Sequence, residues 1–230
     1  VTTYAWPTGA GWSPSRFEMR VLPNVRTFVG IYTPTTQVLD LLGERWVVSL
    51  DLPPDRDPVL GAAREAFFDR LKGPANSIAL SYLPRALPQG TLRDGGGSAQ
   101  WKTASNANAT WQTAAAAPAT WSFTGVTLFA NVAAGANVLP LSRTPGTTVL
   151  AGDHIGCGGQ LLRAMANATA DSTGLLSVEV QPRVRQPLGA SATVSCTSPT
   201  ANFILKAEGV PTVWRPGMFE GASLELIEII

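Results

Sequence analysis

The chain has 230 residues, a formal net charge of +1 and only 14% charged residues. That balance leaves no basic footprint for nucleic acid or an anionic membrane surface, and no stretch reaches the ~18 consecutive apolar residues of a spanning helix. With 22 glycines and 18 prolines the composition suits a turn-rich β chain of one large domain or two small ones, and the low charge also suits a surface covered by neighbouring subunits.

Residues 1–16 are rich in Trp, Pro and Gly and read as an extended arm. They lack the basic region and apolar core of an intact signal peptide. Trp6 and Trp12 need burial, either in this chain's own core or against another subunit. Arg16 to Val21 alternates, with Phe17, Met19 and Val21 on one face. Thr27 to Tyr32 is a further β stretch, Gln37 to Leu42 is ambiguous, and Arg45 to Leu52 is the clearest strand of the first half.

One helix follows, over 58–72. Asp57 is placed to cap it and Pro58 suits its first position, where the missing N–H costs nothing. Leu60, Ala63, Phe67 and Leu71, widened by Phe68, form its expected apolar stripe, and Gly73-Pro74 ends it. Ser77 to Leu83 is a strand again. The intervening crossover implies either a parallel pair or a helix lying on one sheet face.

Residues 83–90 are a proline-stiffened excursion and 95–98 a flexible joint, where the main domain boundary is expected. Trp101, Trp111 and Trp121 are spaced ten apart, yet the segments between them need turns. The plain reading is two short strands with tryptophans on a sandwich face rather than a true repeat. The alternative is an aromatic platform for a glycan, with Asn106 and Asn108 as polar partners.

The stretch 150–184 reads as short strands joined by tight turns. Gly152, Gly158-Gly159 and Gly174 supply the turns, and Leu176, Val178 and Val180 share one face. A small closed or nearly closed β unit is expected there. Ala192 to Cys196, Phe203 to Glu208 and Ala222 to Ile230 are the last strands. Both faces of the final one are mixed, so a partner is expected to cover part of it, at Ile227 and Ile229. Arg183 and Arg185 share one side of an extended segment, alternating with Val184, and are expected to face solvent or a neighbouring subunit's acids.

Little here speaks for catalysis. His154 is the only histidine, so no metal site with a second histidine or clustered thiols forms around it. A nucleophile pair with Cys157 is conceivable, but structural roles are the simpler reading of both. Cys157 and Cys196 read as small buried thiols, with a single bridge as the alternative. Asp51, Asp55 and Asp57 read as a solvated turn plus a helix cap rather than a calcium loop. No glycine cluster matches a phosphate loop. No enzyme and no cofactor are expected.

The segment LAGDHIGCGGQLLRAMANATADSTGLLSVEVQPRVR is similar to one common in tail and baseplate proteins of tailed bacteriophages and gene transfer agents. RWVVSLDLPP, AAREAFFDRLKG and SIALSYL resemble the ring-forming part of a distal tail protein or a related tail-tip protein, and ANFILKAEG with ASLELIEI resembles strands returning to that ring. The resemblance covers residues 16–92 and 149–230. It implies a mainly β fold: a sandwich or barrel ring domain over 1–93 plus 201–230, carrying the helix, and an inserted or second β-sandwich or barrel domain over 94–200. It further implies a structural role at the tail tip of the virion, in a ring of copies (a hexamer, with a trimer as the alternative). The partners would be the tail tube protein and the hub or fibres, with Trp6, Trp12, Arg183, Arg185, Ile227 and Ile229 as interface candidates. No catalytic residue is implied.

Overall fold

The computed structural model of the chain describes residues 1–29, 36–41, 43–94, 97–99, 101–102, 108–109, 111–112, 118–119, 121–123 and 125–229. The first part contains β1 (Thr3–Ala5), β2 (Arg16–Leu22), β3 (Val25–Val29), β4 (Thr36–Asp40), β5 (Arg45–Leu52), α1 (Pro58–Leu71) and β6 (Ser77–Ser81). Six very short strands follow: β7 (Gly97–Ala99), β8 (Trp101–Lys102), β9 (Asn108–Ala109), β10 (Trp111–Gln112), β11 (Pro118–Ala119) and β12 (Trp121–Phe123). The next part holds β13 (Thr127–Leu128), β14 (Val138–Ser142), β15 (Thr148–Val149), β16 (His154–Cys157), β17 (Gln160–Ala164), β18 (Ala168–Thr169), β19 (Leu175–Gln181) and β20 (Val194–Ser195). The chain closes with β21 (Thr200–Leu205), β22 (Trp214–Arg215), β23 (Met218–Phe219) and β24 (Ala222–Ile229). The protein is mainly β, as its composition and turn residues require.

The first sheet has the order β1-β6-β21-β24-β5-β2. Period-two alternation puts Trp46, Val48, Leu50 and Leu52 of β5 on one face, with Ile78, Leu80, Phe203, Leu224 and Leu226 beside them, all buried. Helix α1 covers this face with Phe67, Phe68 and Leu71. The crossover therefore resolves in favour of a covering helix, since β5 and β6 are separated by β24 and β21.

The helix begins as its sequence requires, with the Asp57 carboxylate accepting from Val59 N–H at 2.9 Å. Its buried face differs from the expected stripe. Ala63 is exposed, and Arg64 is fully buried in its place. The Arg64 guanidinium donates to the carbonyls of Pro53 and Gly11, lies over the Phe219 ring and approaches Asp55 at 3.9 Å. Those partners come from the N-terminal arm, the segment before the helix and β23, so periodicity within the helix carries no sign of them.

The second sheet, β13-β14-β19-β17-β16-β20, curls into a nearly closed barrel. A bridge between Thr127 and Thr193, with Val194 N–H donating to Val126 at 3.0 Å, joins its two edges. Leu139, Leu141, Ile155, Leu162, Leu176, Val178 and Val180 fill it. β16 and β17 are joined by Gly158-Gly159 alone, at φ +59° and +76°, the two positive values a two-residue hairpin of this twist needs.

The ten-residue spacing of tryptophans departs from expectation. Trp101 pairs with Ala109, Trp111 with Ala119 and Trp121 with Ala99. Each Ala-x-Trp step thus pairs with the next, and the third returns to the first. The repeat is real at the level of backbone register. The side chains of Trp101, Trp111 and Trp121, and all of Asn106, lie outside the described residues.

Candidate functional site

Two regions stand out: a polar junction between sheet and barrel, which holds Arg185, His154 and Asp153, and an apolar hairpin beside the sheet edge, which holds none of the residues that the sequence singled out.

At the junction, the buried Trp46 of β5 donates its indole N–H to the Leu161 carbonyl of β17 at 2.7 Å. Glu228 of β24 is fully buried. Its carboxylate accepts from the backbone N–H groups of Trp46 and Leu161 at 3.1 and 3.4 Å and pairs with Arg185 at 2.5 Å. Burial pushes the Glu228 carboxyl up, and the Arg185 charge and the two backbone N–H groups partly offset this. Gln160 holds the neighbouring segment in register, donating to the Arg183 carbonyl at 2.7 Å and accepting from Arg185 N–H at 3.0 Å.

His154 stacks on Tyr82 with centroids 4.3 Å apart and lies 6.0 Å from the Trp46 ring. Burial, reinforced by Arg85 and Arg163 and opposed by Asp153, lowers its pKa to about 4. The ring is neutral at pH 7. Adjacent Asp153 is buried as well and accepts from the N–H groups of Gln89, Gly90 and Leu150 at 2.6, 3.0 and 2.9 Å, with Arg85 at 3.6 Å. Asp94 similarly receives the N–H groups of Cys196 and Thr197. The excursion over 83–94 is therefore stitched to the barrel. A Cβ on Gly90 would collide with the Thr148 carbonyl, which explains the glycine there.

The conceivable Cys157–His154 pair is not assembled. Positions 154 and 157 alternate to opposite faces of β16, His154 toward Tyr82 and Cys157 into the barrel core. Burial raises the Cys157 thiol pKa, so it stays protonated, and Cys157 and Cys196 are both free. Asp57 caps the helix, Asp55 accepts from Asp57 N–H, and Asp51 accepts from the Ser223 hydroxyl. Among the described residues no group of three or more His, Cys, Asp or Glu is placed to hold a metal ion, and no helix is long and apolar enough to cross a membrane.

The interface candidates fall in different places. Trp6 and Trp12 pack edge-to-face on each other and on Phe67, at 5.8, 6.0 and 5.2 Å, so their burial is supplied by this chain's own core. Arg185 turns inward to Glu228 instead of facing solvent or a neighbour, while Arg183 is half-exposed, 3.7 Å from Asp40. β24 is not an edge strand: it pairs with β21 on one side and β5 on the other. Ile227 and Ile229 sit half-buried on the face away from the helix, Ile227 in register with Ile204 and Val47.

The expected β stretch Thr27–Tyr32, of which 30–32 lie outside the described residues, overlaps β3, and the ambiguous Gln37–Leu42 overlaps β4; their pairing as the hairpin β3–β4 was not expected. Among the described residues it pairs only with itself, Val25 opposite Asp40 and Phe28 opposite Gln37. Val25, Phe28, Val38 and Leu39 are 43, 53, 64 and 49% exposed. Val25 and Val38 lie on one face and Phe28 and Leu39 on the other. The signal was present in VRTFV and TQVLD, two alternating runs with apolar residues on both faces.

A scan of protein-family models finds no match to this chain, and no curated protein matches it.

Proposed function

We propose that the chain is a structural subunit of a phage tail tip or baseplate, forming a ring that joins the tail tube to the hub or fibres. The observation that carries this reading is the hairpin β3–β4 at the end of an edge strand, with exposed apolar residues on both faces that no described residue covers. An apolar surface of that kind marks a protein–protein contact. The resemblance of residues 16–92 and 149–230 to tail-tip proteins supports the choice of assembly. The bonded junction through Trp46, Glu228, Arg185 and Asp153 suits a part that holds a fixed orientation between sheet and barrel. On this reading the site is the virion tail tip, the partners are copies of the chain, the tail tube protein and the hub, and no catalysis is involved. The separated, neutral His154 and Cys157 support the last point.

Light scattering of the purified chain followed by negative-stain imaging tests it. Six copies of the 24.2 kDa chain give a ring of about 145 kDa. Particles of one size with a central hole are expected, and a monomer that never joins isolated tail tubes would overturn the reading.

One observation favours a second role beside the first. The equivalent register of Trp101, Trp111 and Trp121 repeats one aromatic position three times, which suits binding of a carbohydrate on the host surface. Indole fluorescence that responds to a panel of host glycans, and loses the response in Trp101→Ala, Trp111→Ala and Trp121→Ala, is expected. Unchanged fluorescence counts against it.

A further inference from the structure

The barrel is inserted between two neighbouring strands of the first sheet. The chain leaves at Ser81 and returns at Thr200, which pair with each other, so the two covalent crossings stand side by side. Ser198 N–H donates to the Ala86 carbonyl at 2.7 Å and ties one crossing to the other. Each body has its own core. Among the described residues Leu161 is the one barrel residue in the sheet's core, and no sheet residue enters the barrel's. The faces that meet are otherwise polar. Glu228, Glu44 and Asp40 stand on the side of the sheet, opposite Arg185, Gln181 and Arg183 of the barrel, while Arg163 lies over the Trp46 ring at 5.4 Å. Arg185 Nε and Nη1 and Glu44 Oε2 are buried with no hydrogen-bond partner among the described residues, so parting the two faces hydrates all three.

We infer that this junction is an acid-released latch: when His154 takes up a proton, the barrel parts from the sheet about the Ser81 and Thr200 crossings while both cores stay folded. The device lies within a single chain and stands apart from the ring reading. His154 sits where hinge and latch meet, stacked on Tyr82 of the first crossing at 4.3 Å and 6.0 Å from Trp46, whose indole bonds Leu161. The groups that face it are Tyr82 and Trp46 from the sheet, Arg85 from the excursion, Arg163 opposite it on β17, and adjacent Asp153. The Asp153 carboxylate is already engaged by the N–H groups of Gln89, Gly90 and Leu150 and by Arg85. An imidazolium here is therefore buried beside two guanidinium groups. Burial first, then Arg85 and Arg163, hold the pKa at about 4 against 6.5 in water. The parted form binds the proton more readily between those values, so closure is favoured above pH 6.5 and loses ground as the pH falls toward 4. Glu228 acts in the opposite sense: its carboxyl is raised in the closed form, so its protonation favours closure in acid. A comparison that changes His154 and keeps Glu228 separates the two.

Two protons report the latch because their bonds cross it: the Leu161 N–H, which donates to Glu228, and the Trp46 indole N–H, which donates to the Leu161 carbonyl. The amides of Leu162, paired with Ile155 inside the barrel, and Leu50, paired with Phe17 and Leu224 inside the sheet, serve as references within each body. Hydrogen exchange of the full chain, read by nuclear magnetic resonance and corrected for the intrinsic pH dependence of exchange, tests the inference. At pH 5 both junction protons are expected to exchange more than about tenfold faster than the two references, since parting leaves each body folded. Between pH 7 and pH 5 their protection is expected to fall about 25-fold further in wild type than in His154→Phe. His154→Gln, neutral and smaller, is expected to match His154→Phe, which guards against an effect of ring packing alone. Junction and reference protons that exchange together at pH 5 would mean that only unfolding frees them, and would overturn the latch. The same pH dependence in wild type and both variants would overturn the role of His154.

Discussion

Replacing His154 with Phe removes the chain's only imidazole while keeping an aromatic ring against Tyr82. The wild-type ring has a pKa of about 4 in the folded protein, caused first by burial and then by Arg85 and Arg163, against 6.5 when exposed. A folded pKa below the unfolded one means that the unfolded chain binds the extra proton between those values. Stability is therefore full above pH 6.5 and is lost as the pH falls toward 4. Linkage puts the loss at about 0.2 kcal/mol at pH 7 and about 2 kcal/mol at pH 5. Urea unfolding of wild type and His154→Phe at both values isolates this, because the carboxylates, Glu228 included, titrate in both proteins and cancel in the difference. The variant is expected to lose about 2 kcal/mol less than wild type between pH 7 and pH 5. Equal losses would refute the claim that the junction excludes a charged imidazole.

Other consequences follow from the same geometry. Arg185→Met leaves the Glu228 carboxylate buried without its cation and is expected to cost about 3–5 kcal/mol at pH 7. The raised Glu228 pKa means that acidification neutralises the group, so this penalty shrinks as the pH falls, and chemical melts at pH 7 and 5 measure both quantities. Asp57→Ala removes the helix cap at Val59 N–H and is expected to lower stability by about 1 kcal/mol in a urea melt. Gly90→Ala drives a methyl into the Thr148 carbonyl and is expected to cost about 1–3 kcal/mol, with faster hydrogen exchange at Leu92, whose N–H bonds Thr148.

What the sequence disclosed was local. Alternation placed β5 at Arg45–Leu52 with its buried residues, and Asp57-Pro58 placed the start of α1. Gly158-Gly159 marked a hairpin turn, and Leu176, Val178 and Val180 marked the inner face of β19. Long-range pairing was not legible. Glu228 reads as one more polar residue in a mixed strand, and nothing near it announces Arg185, 43 positions earlier, or the N–H groups of Trp46 and Leu161. Arg64 lies outside the apolar stripe that periodicity picks out, and its partners, such as the Pro53 and Gly11 carbonyls, lie in segments that the helix pattern does not describe. The Ala-x-Trp repeat was readable, since Ala99, Ala109 and Ala119 precede their tryptophans by two, but only the strand register shows that the third step pairs with the first. The candidate contact surface was missed for a different reason. Apolar residues in a strand read as core until the fold shows that nothing in the described chain covers them, as at Phe28 and Val38.

Self-assembly into a closed ring is read from the particle mass of the purified full chain across a concentration series, with images of the same sample. One discrete species near six times 24.2 kDa, about 145 kDa, with a central opening is expected. A species that stays at 24.2 kDa up to the highest concentration reached, and also fails to join isolated tail tubes, would contradict it.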